Sequence, residues 1–134
     1  MAVEKAIRSI LIDDAAVKNL VADRAYPIVR REGSALPAIV YQQISGVRDH
    51  VFAGPSGFVE ARFQINCWAE TYEGADALAD AVRVAMDAYH GTKESVVIQC
   101  IHLIDEGDMP VLSAENEELS FHGKRLDFMV WFNE

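Results

Sequence analysis

The sequence predicts an α+β fold, with a mostly antiparallel sheet of four to five strands and two main helices packed on one face. Two segments carry this prediction. Residues 58–69 alternate apolar and polar side chains, which is the period-two pattern of a strand with one buried face. Residues 71–90 instead repeat apolar side chains at helical spacing. The chain has 134 residues, an ordinary length for one domain, so residues 1–134 are expected to form a single α+β domain.

The N-terminal segment predicts a main helix followed by a short one. Residues 2–13 place their apolar side chains on one helical stripe, with charged residues off it. The stripe consists of Val3, Ile7, Ile10 and Leu11. Asp13 or Asp14 can cap the second, short helix. Pro27 follows, and because proline cannot donate to a ladder, residues 25–29 are expected to form at most a short edge strand.

The remaining strands follow from alternation and from apolar runs. In chain order, the predicted strands are residues 25–29, 38–45, 58–69, 95–104 and 118–132. Residues 95–104 are almost continuously apolar, which is typical of a strand covered on both faces. Residues 105–116 are acidic and turn-rich. Gly123 predicts a bulge or a register change in the last strand. Trp68 falls on the polar face of its strand, where packing under a loop is favoured over an exposed position.

The second main helix is predicted between two terminal signals. Thr71 is a good N-cap, and Gly91 stands where a left-handed residue would end the helix. The apolar stripe is Ala75, Leu78, Val82, Ala85, Met86 and Tyr89. The opposite face carries Asp76, Asp80, Arg83 and Asp87. That face can be interpreted as a carboxylate site, but a solvated helix surface is the favoured interpretation.

Composition and motifs argue against several function classes. The formal net charge of -9 disfavours nucleic-acid binding through a basic face, although plain solubility also explains it. No secretory signal and no membrane-length apolar run are expected. Cys67 and Cys100 are expected to be buried thiols in a reducing cytoplasm. No phosphate loop, nucleophile elbow or zinc-binding helix occurs. His102 and His122 could face each other across a hairpin, but a third metal ligand is not suggested.

A long hairpin tip interrupts the second and third strands. The segment SGVRDHVFAGPSG, residues 45–57, spends about a dozen residues where a tight hairpin needs two. Arg48, Asp49 and His50 could imitate an acid–base cluster. On a glycine-flanked loop, surface recognition explains them more simply, with a loose loop that has no partner as the alternative.

Several passages together resemble a known family. They are LPAIVYQQISGVRDH at 36–50, GPSG at 54–57, ARFQINCWAETYEGADALADAVRVAMDA at 61–88, and the closing RLDFMVWFNE. In this order they resemble the tail-completion family of long-tailed phages, prophages and gene transfer agents, whose members are similar to the tail terminator of lambda-like phages. The resemblance implies a structural protein without enzyme chemistry, metal or cofactor.

The resemblance also implies partners and a location. Such proteins form rings, typically hexameric, on the head-proximal end of the tail tube, where they stop tube polymerisation and dock to the head connector or stopper. DNA passes through the lumen without specific binding, and no membrane is involved. The chain is expected in the bacterial cytoplasm during assembly and at the head–tail junction of the virion.

Candidate contact residues follow from this interpretation. The 46–57 tip is expected to be an interaction arm that reaches a neighbouring subunit, the tube or the connector. Its proposed contact residues are Arg48, Asp49, His50, Phe52 and Pro55, with Phe52 as the apolar anchor. Acidic residues that could face the lumen and repel DNA are Asp105, Glu106, Asp108, Glu115, Glu117 and Glu118.

Two other functions remain open from the sequence. The first is a head-side neck protein that plugs or bridges the portal, which binding to the portal rather than to tube ends would reveal. The second is a small cytoplasmic enzyme or ligand-binding domain, which would need a concave pocket with converging polar groups.

Overall fold

The computed structural model describes residues 2–30, 35–109 and 121–134. Three helices are present in this part of the chain: α1 (Val3–Asp13), α2 (Ala15–Val21) and α3 (Tyr72–Met86). Six strands accompany them: β1 (Ala25–Pro27), β2 (Ala38–Val51), β3 (Gly54–Ala69), β4 (Gly91–Lys93), β5 (Val96–Met109) and β6 (His122–Asn133). The fold is therefore α+β, as predicted, but with six strands rather than four to five. The two main helices are α1 and α3, and the predicted short helix between α1 and the first strand is α2.

The six strands form one mixed sheet with the order β1-β2-β3-β6-β5-β4. Every neighbouring pair is antiparallel except β1 and β2, which are parallel. The edge position predicted for β1 from Pro27 is confirmed. The strand missed by the sequence is β4, a three-residue segment at the opposite edge that pairs only with the first residues of β5. Such a short segment offers no period long enough to detect.

The core lies between the helices and one face of the sheet. The apolar stripe of α1 is buried there, together with that of α3. The alternation of β3 is confirmed, because Phe63, Ile65 and Cys67 are buried while their neighbours are not. Phe63 stands opposite Phe128 of β6, so the two rings fill the centre of the same core face. The opposite face of the sheet carries no helix in the described residues.

The helix starts follow the predicted chemistry more closely than the helix ends. Asp14, rather than Asp13, caps α2, since its Oδ1 accepts hydrogen bonds from Ala16 N and Val17 N. Thr71 Oγ1 caps α3 by accepting from Gly74 N. The end of α3 was wrongly predicted. Ala88 has a φ of 65°, whereas Gly91 lies beyond the helix as the first residue of β4.

Two predictions about the last strands are wrong. β5 is buried on one face only, and it continues through Asp105 to Met109, which were predicted to be turn-rich. Gly123 causes no bulge, because the β3–β6 and β5–β6 registers run without a shift through this position. The register shifts lie instead in β2 and β5. The prediction that the last strand begins at residue 118 falls partly on residues outside those described.

Candidate interaction site: the hairpin arm and an apolar hollow

The segment predicted to be a long loop is an extension of two paired strands. β2 and β3 remain paired, with two register shifts, as far as Val51 and Gly54, which leaves a two-residue turn at Phe52 and Ala53. Gly54 has a φ of 128°, a conformation that L-residues rarely adopt, so glycine suits the position just after the turn. We call residues 46–57 the arm. It is a paired hairpin rather than a loose loop.

The base of the arm is attached to the end of β6. Both guanidinium Nη atoms of Arg48 contact the carboxylate of Glu134, with Nη2 to Oε1 at 3.0 Å. The backbone N–H of Glu134 also donates to Gly57 O at 2.8 Å. The hydrogen bond from Arg48 holds the pKa of Glu134 below its usual value and raises the pKa of Arg48. Arg48 thus already has a partner within the chain and helps to fix the direction of the arm.

Asp49 and His50 occupy an irregular part of the arm. The register shift between Arg48 and His50 places three residues of β3, 56–58, opposite the single residue Asp49 of β2, so the bulge lies on β3. Ser56 Oγ donates to Asp49 Oδ2 at 2.8 Å, so Asp49 ties the two strands together. His50 stands opposite Pro55 near the tip, and both are exposed. Arg48, Asp49 and His50 therefore face different partners and do not form one acid–base cluster.

The end of the arm is apolar and solvent-exposed. Phe52 at the turn is fully exposed, with no neighbour covering its ring. Val51 and Val47 are also exposed large apolar residues on the same hairpin. Exposed apolar residues gathered at one projection are more typical of a contact surface than single scattered ones. This geometry suits the apolar anchor expected at Phe52.

A second exposed apolar region lies at the β1 edge and was not predicted. A hollow of about 210 Å³ is lined by Glu4, Pro27, Ile28, Tyr41, Gln42 and Gln43. Ile28 is 68% exposed, and Val29 beside it is exposed as well. Burial raises the pKa of Tyr41, whose ring forms part of the wall. The signal in the sequence was the apolar pair that follows Tyr26-Pro27, where soluble loops usually carry polar residues.

Ile28 has an unusual backbone conformation at this hollow. Its φ is 68°, which is a rare value for a β-branched residue and costs conformational energy. Its backbone N–H donates to Tyr41 O at 2.9 Å, which holds the segment against β2. The chain therefore keeps Ile28 in a strained conformation in which the side chain is exposed.

The acidic residues suggested for a lumen lie beside basic residues. Arg125 Nη1 contacts Asp105 Oδ2 at 2.9 Å, and Lys124 Nζ contacts Asp108 Oδ1 at 3.0 Å. The hydrogen bond from Arg125 lowers the pKa of Asp105. Glu106 lies between them on β5 and lines the same cleft. Glu115, Glu117 and Glu118 lie outside the described residues.

This cleft, of about 580 Å³, separates α3 from the ends of β5 and β6. Asp76 and Asp80 of α3 line it, and Lys124 Nζ contacts Asp76 Oδ1 at 3.2 Å. Both acidic and basic side chains line the cleft, so the described part of this surface is mixed in charge. Lys124 and Arg125 could not be predicted as partners of these acids, because they are distant in sequence and meet them only through the pairing of β5 with β6.

His102 and His122 each contact a different aromatic side chain rather than each other. His102 packs edge-on against Trp131, with ring centroids 5.1 Å apart, and His122 packs edge-on against Tyr72, with ring centroids 6.3 Å apart. The suggested pairing of the two histidines is therefore wrong.

The two cysteines differ in burial. Cys67 is fully buried, and burial raises the pKa of its thiol. Cys100 is half-buried rather than buried. Within residues 2–30, 35–109 and 121–134, no group of three or more potential ligands could hold a metal ion. None of the helices described is long and apolar enough to cross a membrane.

A comparison with protein families identifies the class of protein. The family described as tail completion protein gp17 matches residues 5–108, from α1 into β5. The chain belongs to this family. It is therefore a structural protein of phage tails and a virion component, and not an enzyme, which confirms the resemblance seen in the sequence.

Solved structures support the fold independently. A chain in a structure titled "Virion of native gene transfer agent (GTA) particle" superposes with a TM-score of 0.77 at 16% sequence identity. The alignment covers 98% of this chain and 94% of that chain. At this identity the similarity concerns the fold. No curated protein matches the sequence.

Proposed function

We propose that this chain is a tail terminator. Copies of residues 1–134, folded as one domain, form a typically hexameric ring on the head-proximal end of the tail tube. The ring ends tube polymerisation and provides the surface to which the head connector or stopper binds. Membership in the tail completion family is the observation that carries this proposal. The chain assembles in the bacterial cytoplasm and remains at the head–tail junction.

The geometry of the arm supports a role in assembly. A paired hairpin anchored by Arg48 and Glu134 carries a fully exposed Phe52 away from the core. An exposed aromatic side chain costs solubility unless a partner covers it, and aromatic anchors dominate many protein interfaces. Phe52 with Val51 is the proposed contact, while Asp49, His50 and Pro55 shape the hairpin beside it.

We also propose that acidic residues of β5 face the lumen of the ring and repel DNA. Asp105, Glu106 and Asp108 lie on one strand. Glu106 is exposed, and no ion pair joins it to a cation among the described residues. The overall charge of -9 favours passage of DNA without binding, because like charges repel at short range. Reversing the charge of Glu106 should slow DNA ejection from assembled particles if this strand faces the lumen, and unchanged ejection would contradict that placement.

Assembly in solution and on tail tubes tests the main proposal. Light scattering over a concentration range should give the mass of a closed ring, or a 14.9 kDa monomer that assembles once tubes are added. Growing tubes should stop elongating in the presence of the chain, and negative-stain images should show rings at one tube end. Phe52→Ala should weaken these effects, whereas Val84→Ala, on the exposed face of α3, serves as a matched control.

A head-side neck protein is the alternative outcome of the same experiment. Binding to isolated portals, together with tubes that continue to grow, would replace the terminator proposal with that function. A monomer that binds a metabolite, but neither tubes nor portals, would support a ligand-binding domain instead.

A further inference from the structure

We propose that the tip of the arm of one copy binds the apolar hollow at the β1 edge of a second copy, with Phe52 inserted against Pro27, Ile28 and Tyr41. This inference rests on the proposed ring. It adds which two surfaces of the chain meet.

The two surfaces cannot meet within one molecule. Tyr41 lies near the start of β2 and Val51 at its end, ten residues further along the same strand. At ~3.3 Å per residue, ten residues of strand span about 33 Å. Phe52 is also fully exposed, so the tip does not cover the hollow of its own chain. A contact between them requires another copy of the chain.

A cyclic ring needs this kind of arrangement. Identical subunits related by rotation contact each other through two unlike patches, one at each end of the subunit. The tip is an exposed projection, and the hollow is a concave apolar site with several times the ~30 Å³ that one water molecule occupies. Two copies docked in this way still leave one tip and one hollow available, so the contact can repeat until the ring closes.

Polar groups around the two surfaces are complementary as well. The residues that line the hollow include three polar ones, Glu4, Gln42 and Gln43. His50 lies beside the tip and offers an N–H donor in either protonation state. An acidic residue beside the hollow and an imidazole beside the tip favour this pairing over tip against tip, which would bring two copies of His50 together. This contact would also cover the exposed side chain of Ile28.

Complementary variants test the contact. Phe52→Asp removes the apolar anchor of the tip and leaves the hollow unchanged. Ile28→Asp places a charge in the hollow and leaves the tip unchanged. Aspartate tolerates a φ of 68° better than isoleucine does, so the Ile28 variant should fold, which circular dichroism will check. Under the conditions in which the wild-type chain assembles, alone or on tubes, each variant by itself should remain monomeric. An equimolar mixture in solution should give a dimer of twice 14.9 kDa and no ring.

A cysteine pair gives a second readout on assembled rings. Phe52→Cys with Ile28→Cys, in a Cys100→Ser background, should cross-link neighbours under oxidation into a ladder that ends at the ring size. Each single variant should give no such ladder. Two results would overturn this inference and leave the terminator function intact. In the first, both aspartate variants form rings as the wild-type chain does. In the second, rings form but the cysteine pair never cross-links. A wild-type chain that neither assembles nor binds tubes would overturn the proposed function itself.

Discussion

Trp68 of β3 lies directly opposite Gly123 of β6 and occupies the space where a side chain at Gly123 would project. A Cβ added at Gly123 would lie 2.5 Å from Trp68 Cζ3 and 2.8 Å from Cε3. The indole also packs edge-on against Phe121, with ring centroids 5.4 Å apart. Trp68 is therefore a packed residue, as its sequence position favoured. Gly123 is the glycine that makes room for it.

Gly123→Ala should destabilise the chain through this contact. The methyl group must displace a ring held on two sides, and overpacking of this kind costs about 1–3 kcal/mol. Urea unfolding followed by tryptophan fluorescence measures the loss. The same substitution in a Trp68→Leu background should cost clearly less, because the obstructing ring is gone. Equal costs in the two backgrounds would show that the indole is not the cause.

Asp127→Asn should also destabilise the chain. Asp127 is 2% exposed and accepts hydrogen bonds from Arg62 at 2.5 Å, Gln64 at 3.3 Å and Arg125 at 3.3 Å. The amide removes a buried charge that two cations face, and one amide N–H has no acceptor there, so a loss of about 1–3 kcal/mol is expected. Asp80→Asn is the control, since Asp80 is exposed and 3.9 Å from Arg83. A similar midpoint for both variants in urea would refute the importance of the buried network.

The attachment of the arm should weaken in acid. Arg48 lowers the pKa of Glu134 below 4.5, so the folded chain binds this proton less readily than the unfolded chain. The contact is fully present above pH 4.5 and is lost as pH falls through the lowered pKa. Carbon-detected NMR of the Glu134 carboxyl should give a midpoint below 4.5, and Arg48→Ala should move it up towards that value. An identical midpoint in both chains would contradict the pairing.

The two cysteines should differ sharply in reactivity. Cys67 is completely buried and its thiol pKa is raised, so the reactive thiolate is scarce and inaccessible in the folded chain. Cys100 is half-buried on the sheet face without helices and should react. A thiol reagent at pH 8 should label one cysteine quickly and the second only in denaturant, and Cys100→Ser should abolish the fast phase. Rapid labelling of both thiols in the native chain would mean that the core around Cys67 opens.

The candidate site could be predicted only in part. Phe52 was expected to be an exposed anchor, and the structure places it at a turn with its ring exposed. The form of the arm was missed, because Gly46, Gly54 and Gly57 are typical of loops and local propensity ignores the strand opposite. The contact between Arg48 and Glu134 joins residues 86 positions apart, beyond any local pattern. The hollow was missed for the same reason, since Tyr41 and Ile28 come together through parallel pairing of β1 with β2.

The sequence by itself determined the elements with a strong period and clear end signals. Alternation in β3, the apolar stripes of α1 and α3, and the cap at Thr71 depend on neighbours within a few residues, so they are readable from the chain. The longer passages of the sequence were also enough to recognise the family. The tertiary structure alone decided how far β2 and β5 extend, which acids meet Lys124 and Arg125, and where the hollow forms. These features depend on hydrogen bonds and burial between distant segments, which arise only when the sheet is assembled.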